Sequence, residues 1–167
     1  MTLFDNIYKN KRVLVTGHTG FKGSLMVYWL NNLGAKVYGL SLETKNSDDH
    51  FNHLQLPIKH ELHDIRDSKF VKEFIKRIKP EIIFHLAAQA IVSKSYLNPI
   101  ENYETNLIGT LNIYEAAREA SSVKAIVSIT TDKVYKNNDF KEYFFKETDL
   151  IGGKDPYSSS KSCVEIL

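Results

Sequence analysis

Three glycines and a tyrosine–lysine pair are the residues whose spacing points most directly to chemistry. Gly17, Gly20 and Gly23 lie three positions apart, directly after an apolar segment. Glycine permits a tight turn, lets the backbone approach a pyrophosphate and lets a helix pack closely on a strand. Tyr157 and Lys161 stand four positions apart, which puts both on one face of a helix. A nearby ammonium favours the phenolate form of tyrosine, so the pair could serve as a base.

The elements that must position these residues follow from the spacing of apolar residues. Strands are predicted at residues 12–16, 36–40, 59–64, 81–86 and 124–130. Helices are predicted at residues 21–33, 67–79, about 101–120 and from 156 onward. This alternation predicts an α/β fold with a Rossmann-type, doubly wound parallel sheet of about five strands. The glycines would then open the first helix, whose N–H groups can bind the phosphates of a dinucleotide. An ordinary turn containing three glycines is the alternative.

Composition narrows the class of protein. The chain has 167 residues, the size of one ordinary domain, and a formal net charge of +2. No basic block points to nucleic acid, and no apolar run reaches the roughly 20 residues that cross a membrane. Cys163 is the single cysteine, which excludes an internal disulfide and favours a reducing cytoplasm. The histidines and this cysteine show no metal-ligand spacing, so no metal is predicted.

The G-x-x-G-x-x-G loop, taken together with the Tyr-x-x-x-Lys pair, resembles the extended branch of the short-chain dehydrogenase/reductase family. The resemblance also covers the sequence from His85 to Gln89 and the sequence from Asp64 to Asp67. It implies a set of residues that contact the cofactor: Gly17, Thr19, Gly20, Phe21, Lys22, Gly23, Asp64, Ile65, Leu86, Ala87, Ala88, Asn106, Thr130, Tyr157 and Lys161. A helix cap or a surface charge is the alternative for Asp64, and an exposed helical position is the alternative for Asn106.

The sequence Thr131-Asp132-Lys133 carries the most information about the reaction. It resembles the sugar-nucleotide 4,6-dehydratases of this branch, which have Thr-Asp-Glu here, and the version with lysine is similar to those that act on CDP-glucose. The resemblance implies a hydro-lyase of deoxysugar and O-antigen or other polysaccharide biosynthesis. Tyr157 would remove the proton of the sugar 4-hydroxyl. Asp132 would protonate the departing 6-hydroxyl, and Lys133 would remove the proton at C5.

Alternatives exist for each of these roles. The hydroxyl that holds the substrate oxygen is assigned to Thr131, with Thr130 and Ser128 as substitutes. Asp132 could instead be a turn residue, and Lys133 an exposed loop lysine. The whole protein could also be another dehydratase or an epimerase of the same family, or the chain could be a non-catalytic dinucleotide-binding fragment.

The choice between NAD and NADP depends on residues near the second predicted strand. Glu43 is a candidate to hold the ribose 2′-hydroxyl of NAD, whereas Lys22 or Lys45 would favour a 2′-phosphate. NAD is the predicted cofactor, because the implied dehydration returns the hydride to the product and needs no external reductant.

The chain ends inside its last predicted helix, at Leu167. Residues 1–167 are therefore interpreted as an NAD-binding Rossmann domain that carries the catalytic Tyr157 and Lys161, without the later strands and without a C-terminal substrate domain. The resemblance also implies a homodimer, formed through the helices that contain Asn106 and Tyr157.

Overall fold

A parallel sheet organises the computed structural model, which describes residues 3–44, 46–136 and 143–167. Within these residues the sheet has five strands in the order β3-β2-β1-β4-β5: Arg12–Thr16 (β1), Lys36–Ser41 (β2), Lys59–Leu62 (β3), Ile82–His85 (β4) and Ala125–Ser128 (β5). Neighbouring strands are parallel throughout; Val13, for example, pairs with Val37 on one side and Ile82 on the other. This order, with helices in the connections, confirms the predicted Rossmann-type α/β fold.

Helices connect the strands, and one further helix follows the last strand in the chain. They are Phe21–Asn32 (α1), His50–Leu54 (α2), Ser68–Ile78 (α3), Val92–Leu97 (α4), Pro99–Tyr103 (α5), Gly109–Glu119 (α6) and Pro156–Ile166 (α7). A π-helical turn, Glu104–Ile108, joins α5 to α6. None of the described helices combines the length and the apolar character that a membrane span requires.

The central strand β1 is buried because apolar clusters lie on both faces of the sheet. Val13, Leu14 and Val15 are fully buried. Leu14 belongs to a cluster that also contains residues of α3 and α6, whereas its two neighbours belong to a cluster with Val27 and Leu30 of α1. Alternate residues of one strand thus anchor helices on opposite faces, as a doubly wound sheet requires.

Capping residues and glycine fix two helix ends at the positions that the sequence predicts. Asp67 caps α3 by accepting a hydrogen bond from the backbone N–H of Phe70 at 3.0 Å, which confirms the predicted cap. Gly34 has a φ of +77° directly after α1, a left-handed conformation that suits glycine at a helix end.

Two helices and one turn were not expected from the pattern. The short helices α2 and α4 lie in sequence that is too polar to show a helical period. The predicted helix at about 101–120 starts earlier, at Pro99, and is interrupted by the π turn at Glu104–Ile108. A π turn differs from an α-helix by one residue per turn, which apolar spacing does not reveal.

The described residues divide into two compact units. The first comprises the chain up to Ala87 together with Asn112–Ile129; it contains the sheet and the glycine loop. The second comprises Ala88–Leu111 and Thr130–Leu167, and it contains α4, α5, the π turn and α7 with Tyr157 and Lys161. Lys45, one candidate for binding a 2′-phosphate, lies outside the described residues.

Candidate functional site

The glycine loop of the first unit is folded so tightly that side chains are excluded. Gly17 has a φ of +73°, and a Cβ added there would lie 2.7 Å from the backbone nitrogen of Ala87. A Cβ at Gly23 would lie only 2.0 Å from the carbonyl oxygen of Gly17. Gly20 is the N-cap of α1 and supplies no side-chain cap. The first turn of α1 therefore presents backbone N–H groups that no capping side chain covers, as a phosphate site needs.

Polar contacts hold the loop after β4 against the end of β1. The hydroxyl of Thr16 lies 2.6 Å from Nδ1 of His85 and accepts a hydrogen bond from the N–H of Ala87 at 3.2 Å. Both Thr16 and His85 are buried. Leu86 and Ala87, two of the predicted cofactor contacts, are thereby fixed beside Gly17.

The other predicted cofactor residues of the first unit lie in different environments. The Thr19 hydroxyl donates to the carbonyl oxygen of Leu42 at 3.0 Å, next to the end of β2. Lys22 is exposed, and Phe21 is 66% exposed. Glu43, the candidate for the ribose, is also exposed.

Asp64 is held by its neighbour Arg66, while the adjacent Ile65 is buried. Its carboxylate accepts hydrogen bonds from the Arg66 backbone N–H at 2.9 Å and from the Arg66 guanidinium at 2.7 and 2.9 Å. Burial raises the pKa of Asp64, but the hydrogen bonds from Arg66 outweigh it and lower the pKa overall. Asp64 is thus kept as a carboxylate, and the cap of α3 is Asp67 instead.

His18 is a loop residue that the sequence analysis did not single out. Its ring is fully buried and its Nε2 lies 3.0 Å from Nδ1 of His60. Burial lowers the pKa of His18 to about 4, so the ring is neutral at physiological pH. Gly39 makes room for it, since a Cβ there would lie 2.6 Å from the His18 ring. A glycine inside a strand was the available signal for such a close approach.

In the second unit, helix α7 brings Tyr157 and Lys161 together on its buried face. The side chain of Asp155 caps the helix by accepting from the N–H of Ser158 at 2.8 Å, and Pro156 occupies the first turn. Tyr157 is 9% exposed and Lys161 is 4% exposed. The predicted pairing on one helix face is therefore present, in a setting with little solvent.

Burial dominates the acid–base properties of this pair. It raises the pKa of Tyr157; a hydrogen bond with Thr131 opposes the rise, and the charges of Asp132 and Asp155 add to it. Burial also lowers the pKa of Lys161 to about 8, although the charge of Glu165 opposes this. The spacing had suggested that Lys161 would lower the Tyr157 pKa; the Tyr157 pKa is instead raised, because burial is the largest influence on it.

The structure distinguishes among the three candidate hydroxyls. The Thr131 side chain acts on the Tyr157 hydroxyl and lowers its pKa, against the larger rise from burial. Thr130 instead donates to the carboxylate of Glu165, and Ser128 accepts a hydrogen bond from the Tyr114 hydroxyl at 2.7 Å. Of the three candidate hydroxyls, Thr131 is therefore the one that acts on Tyr157.

Asp132 and Lys133 are exposed in a short 3₁₀ turn, Asp132–Val134, whose N-cap is Thr131; residues 131–133 are called the Thr131–Lys133 turn below. The Thr131 hydroxyl caps this turn: it donates to the Asp132 carboxylate at 3.1 Å and accepts from the Lys133 N–H at 3.3 Å. One threonine thus connects the turn to Tyr157. The carboxyl group of Asp132 and the amino group of Lys133 are thus exposed side by side.

Asn106 lies in the π turn and is fully buried, so the alternative of an exposed helical position is wrong. Its carboxamide oxygen accepts from the N–H of Gln89 at 2.8 Å, and its nitrogen donates to the Gln89 carbonyl at 3.1 Å and to the Ser160 hydroxyl at 3.0 Å. Ser160 in turn donates to the carbonyl oxygen of Tyr157 at 2.7 Å. Asn106 therefore connects Gln89 to the helix that carries Tyr157, within the second unit.

Replacing Asn106 with leucine is expected to lower the free energy of unfolding by about 3 kcal/mol, because it leaves the backbone groups of Gln89 without partners. Asn112→Leu is the control. It removes hydrogen bonds to the carbonyls of Ile65 and Arg66 in a more exposed place and should cost about 1 kcal/mol. Urea unfolding measures both. Equal losses would show that the buried contacts of Asn106 have no special weight.

Across residues 3–44, 46–136 and 143–167, no three side chains of the His, Cys, Asp and Glu types cluster closely enough to hold an ion.

Comparison with known proteins places these features in a family. The family model described as GDP-mannose 4,6 dehydratase matches residues 14–167. CDP-glucose 4,6-dehydratase of Salmonella typhimurium is 43% identical over 164 residues, which are 97% of this chain and 45% of that protein. The chain thus spans less than half the length of this relative.

Solved structures show the same architecture. An epimerase of Methanothermobacter thermautotrophicus aligns with a TM-score of 0.85 at 28% identity, covering 96% of this chain and 47% of that one. UDP-glucose 4-epimerase of Thermus thermophilus, solved in complex with NAD, aligns with a TM-score of 0.77 at 30% identity, covering 93% and 49%.

Proposed function

Since the chain belongs to the GDP-mannose 4,6-dehydratase family, we propose that it is the NAD-binding part of a sugar-nucleotide 4,6-dehydratase that acts on CDP-glucose. The family and its relatives support a sugar-nucleotide dehydratase or epimerase. One observation favours a dehydratase over an epimerase: Thr131, whose side chain acts on Tyr157, is followed directly by Asp132 and Lys133 in the same turn.

The glycine loop fits a dinucleotide. Its backbone forms a cradle that a Cβ at Gly17 or Gly23 would fill, and α1 begins there without a side-chain cap. Anions bind well at such helix N-termini. The residues proposed to hold NAD in the first unit are Gly17, Thr19, Gly20, Phe21, Lys22, Gly23, Asp64, Ile65, Leu86 and Ala87.

In the second unit, Ala88, Asn106, Thr130, Tyr157 and Lys161 remain proposed cofactor residues. The side-chain amide of Asn106 already bonds Gln89 and Ser160, so its contribution is to fix the backbone around the site. When bound, NAD supplies a reversible hydride acceptor. A homodimer is also part of the proposal.

Proton transfers are assigned to the chain's own residues. Tyr157 accepts the proton of the 4-hydroxyl, while Thr131 shares a hydrogen bond with the same oxygen. Because burial raises the pKa of Tyr157, its ionisation requires positive charge nearby, and the Lys161 ammonium on the next turn of α7 can supply it.

Elimination of water then needs two more groups. Asp132 donates a proton to the departing 6-hydroxyl, and Lys133, in its neutral form, removes the proton at C5. The two proton transfers of the elimination therefore have a named donor and a named acceptor at neighbouring positions of the chain. An epimerase has no need of these two groups, so their presence after Thr131 favours the dehydratase.

Incubation of this chain with NAD and CDP-glucose tests the proposal. We expect NAD to bind, as measured by calorimetry, and little product to form, because the chain spans 45% of the related dehydratase. Mass spectrometry of any product discriminates the reactions, since dehydration removes one water and epimerisation leaves the mass unchanged. Tyr157→Phe is the catalytic control. Absence of NAD binding would overturn the proposal, and a product of unchanged mass would favour the epimerase.

A further inference from the structure

A carboxylate extends the row of functional groups on α7. Tyr157, Lys161 and Glu165 are spaced at four-residue intervals, so they follow one another along the same side of the helix. The phenol and the ammonium are buried, whereas Glu165 is exposed. None of the roles assigned above uses Glu165.

Glu165 makes a specific contact with the segment that precedes the catalytic turn. Its carboxylate accepts a hydrogen bond from the hydroxyl of Thr130, the residue that directly precedes Thr131. A carboxylate acceptor makes such a bond shorter and stronger than a neutral one. The contact therefore fixes the start of the Thr131–Lys133 turn to the helix that carries Tyr157.

The charge of Glu165 also reaches its neighbours. It raises the pKa of Lys161, against the larger lowering by burial, and it raises the pKa of Tyr135. The elements packed against α7 carry further titratable groups: Lys94, Tyr96, Glu101, Tyr103, Glu104, Asp132 and Lys133. Glu165 is the charge identified as acting on Lys161.

We propose that Glu165 is a positioning residue of this site, which fixes the Thr131–Lys133 turn through Thr130 and places a negative charge one helical turn from Lys161. The role rests on the proposed function, in which Lys161 supplies positive charge to Tyr157. The two parts of the role depend on different properties of Glu165, its hydrogen-bond acceptor and its charge, and so they can be separated by substitution.

Three variants separate them. Glu165→Gln keeps an oxygen that can accept from Thr130 and removes the charge. Thr130→Val removes the hydrogen bond and keeps the charge. Glu101→Gln, on α5 of the same unit, is the matched control because it removes an exposed carboxylate elsewhere.

The readouts are an NMR titration of the Lys161 side chain and hydrogen exchange of the amides in residues 131–133. Glu165→Gln should lower the Lys161 pKa by roughly half a unit to one unit and leave amide exchange nearly unchanged. Thr130→Val should accelerate exchange at residues 131–133 several-fold and leave the Lys161 pKa in place. Glu101→Gln should change neither.

The proposal is overturned if Glu165→Gln shifts the Lys161 pKa by less than about 0.2 unit, or if Thr130→Val leaves amide exchange as in the original chain. If the glutamine variant does not fold, Glu165→Asp replaces it. That variant should keep the Lys161 pKa and accelerate exchange, because its charge remains while its side chain is one methylene shorter. Neither readout uses NAD or a sugar, so failure of the proposed function would be seen separately, in the NAD-binding experiment.

Discussion

Gly23→Ala is expected to weaken NAD binding by at least about 100-fold, because the added methyl group meets backbone that cannot move aside. Its Cβ would lie 2.0 Å from the Gly17 carbonyl oxygen and 2.9 Å from the Cα of His18. Relief of this overlap must pull the loop away from the start of α1. Each charge-assisted hydrogen bond to a phosphate that is lost in this way costs about 1.5–3 kcal/mol. Calorimetry with NAD measures the loss.

Gly34→Ala is the matched control for the change at Gly23. Gly34 also has a positive φ, +77°, but the nearest atom to an added Cβ is a side-chain carbon of Lys9 at an ordinary 3.6 Å. Alanine there should lower the free energy of unfolding by about 1 kcal/mol through backbone strain and leave NAD affinity within twofold. If Gly23→Ala retained NAD affinity within about threefold, the glycine loop would not be the phosphate site.

Replacing Lys161 with methionine is expected to stabilise the chain at pH 7 by up to about 3 kcal/mol while it removes the ammonium assigned to the site. Lys161 is 4% exposed, and burial lowers its pKa from 10.5 to about 8. At pH 7 the group is charged in both the folded and the unfolded chain, so the folded state bears the full cost of burying the ammonium. Methionine has a similar length and no charge. Loss of the polar contacts of Lys161 will reduce the net gain.

The same pKa predicts how stability depends on pH. Between pH 8 and 10.5 the unfolded chain holds more protons on Lys161 than the folded chain does, so the free energy of unfolding rises with pH across this window. Lys161→Met should remove this rise. Urea unfolding at pH 7 and at about pH 9.5 measures this rise in stability. The upper pH is chosen to lie below the range in which the raised pKa of Tyr157 lowers stability.

Lys154→Met controls for the loss of a lysine as such. Lys154 is exposed just before α7, so its replacement should change stability by less than about 0.5 kcal/mol at either pH. The prediction is contradicted if Lys161→Met lowers the free energy of unfolding at pH 7 by as much as it does at pH 9.5. It would mean that the contacts of the ammonium outweigh its burial.

Most of the fold could be predicted from local pattern. The strand at 12–16 matches β1 at both ends, and the helix predicted at 21–33 matches α1 within one residue, because a glycine follows each element and another precedes α1. The helices α2 and α4 could not be predicted, since they are short and polar and are held by contacts with other elements. The π turn could not be predicted either, because it changes the register by a single residue without changing the composition.

The candidate site was predictable in its parts and not in its contacts. The motif spacing identifies Tyr157, Lys161 and the Thr131–Lys133 turn, and it favours Thr131 over Thr130 and Ser128 without showing that the Thr131 side chain acts on Tyr157. Burial likewise depends on elements far apart in sequence. For this reason spacing gave the wrong direction for the Tyr157 pKa and no role for Glu165.

The π turn at Glu104–Ile108 makes the second unit sensitive to the number of residues as well as to their identity. Removing one residue there would turn the segment into an ordinary α-helix and rotate Asn106 by about 100° about the helix axis. Its amide would then point away from Gln89 and Ser160, although no side chain of the network had been altered. Point substitutions in the π turn at positions other than Asn106 should thus be tolerated far better than a single-residue deletion, and a change in length would act on the site like the loss of Asn106 itself.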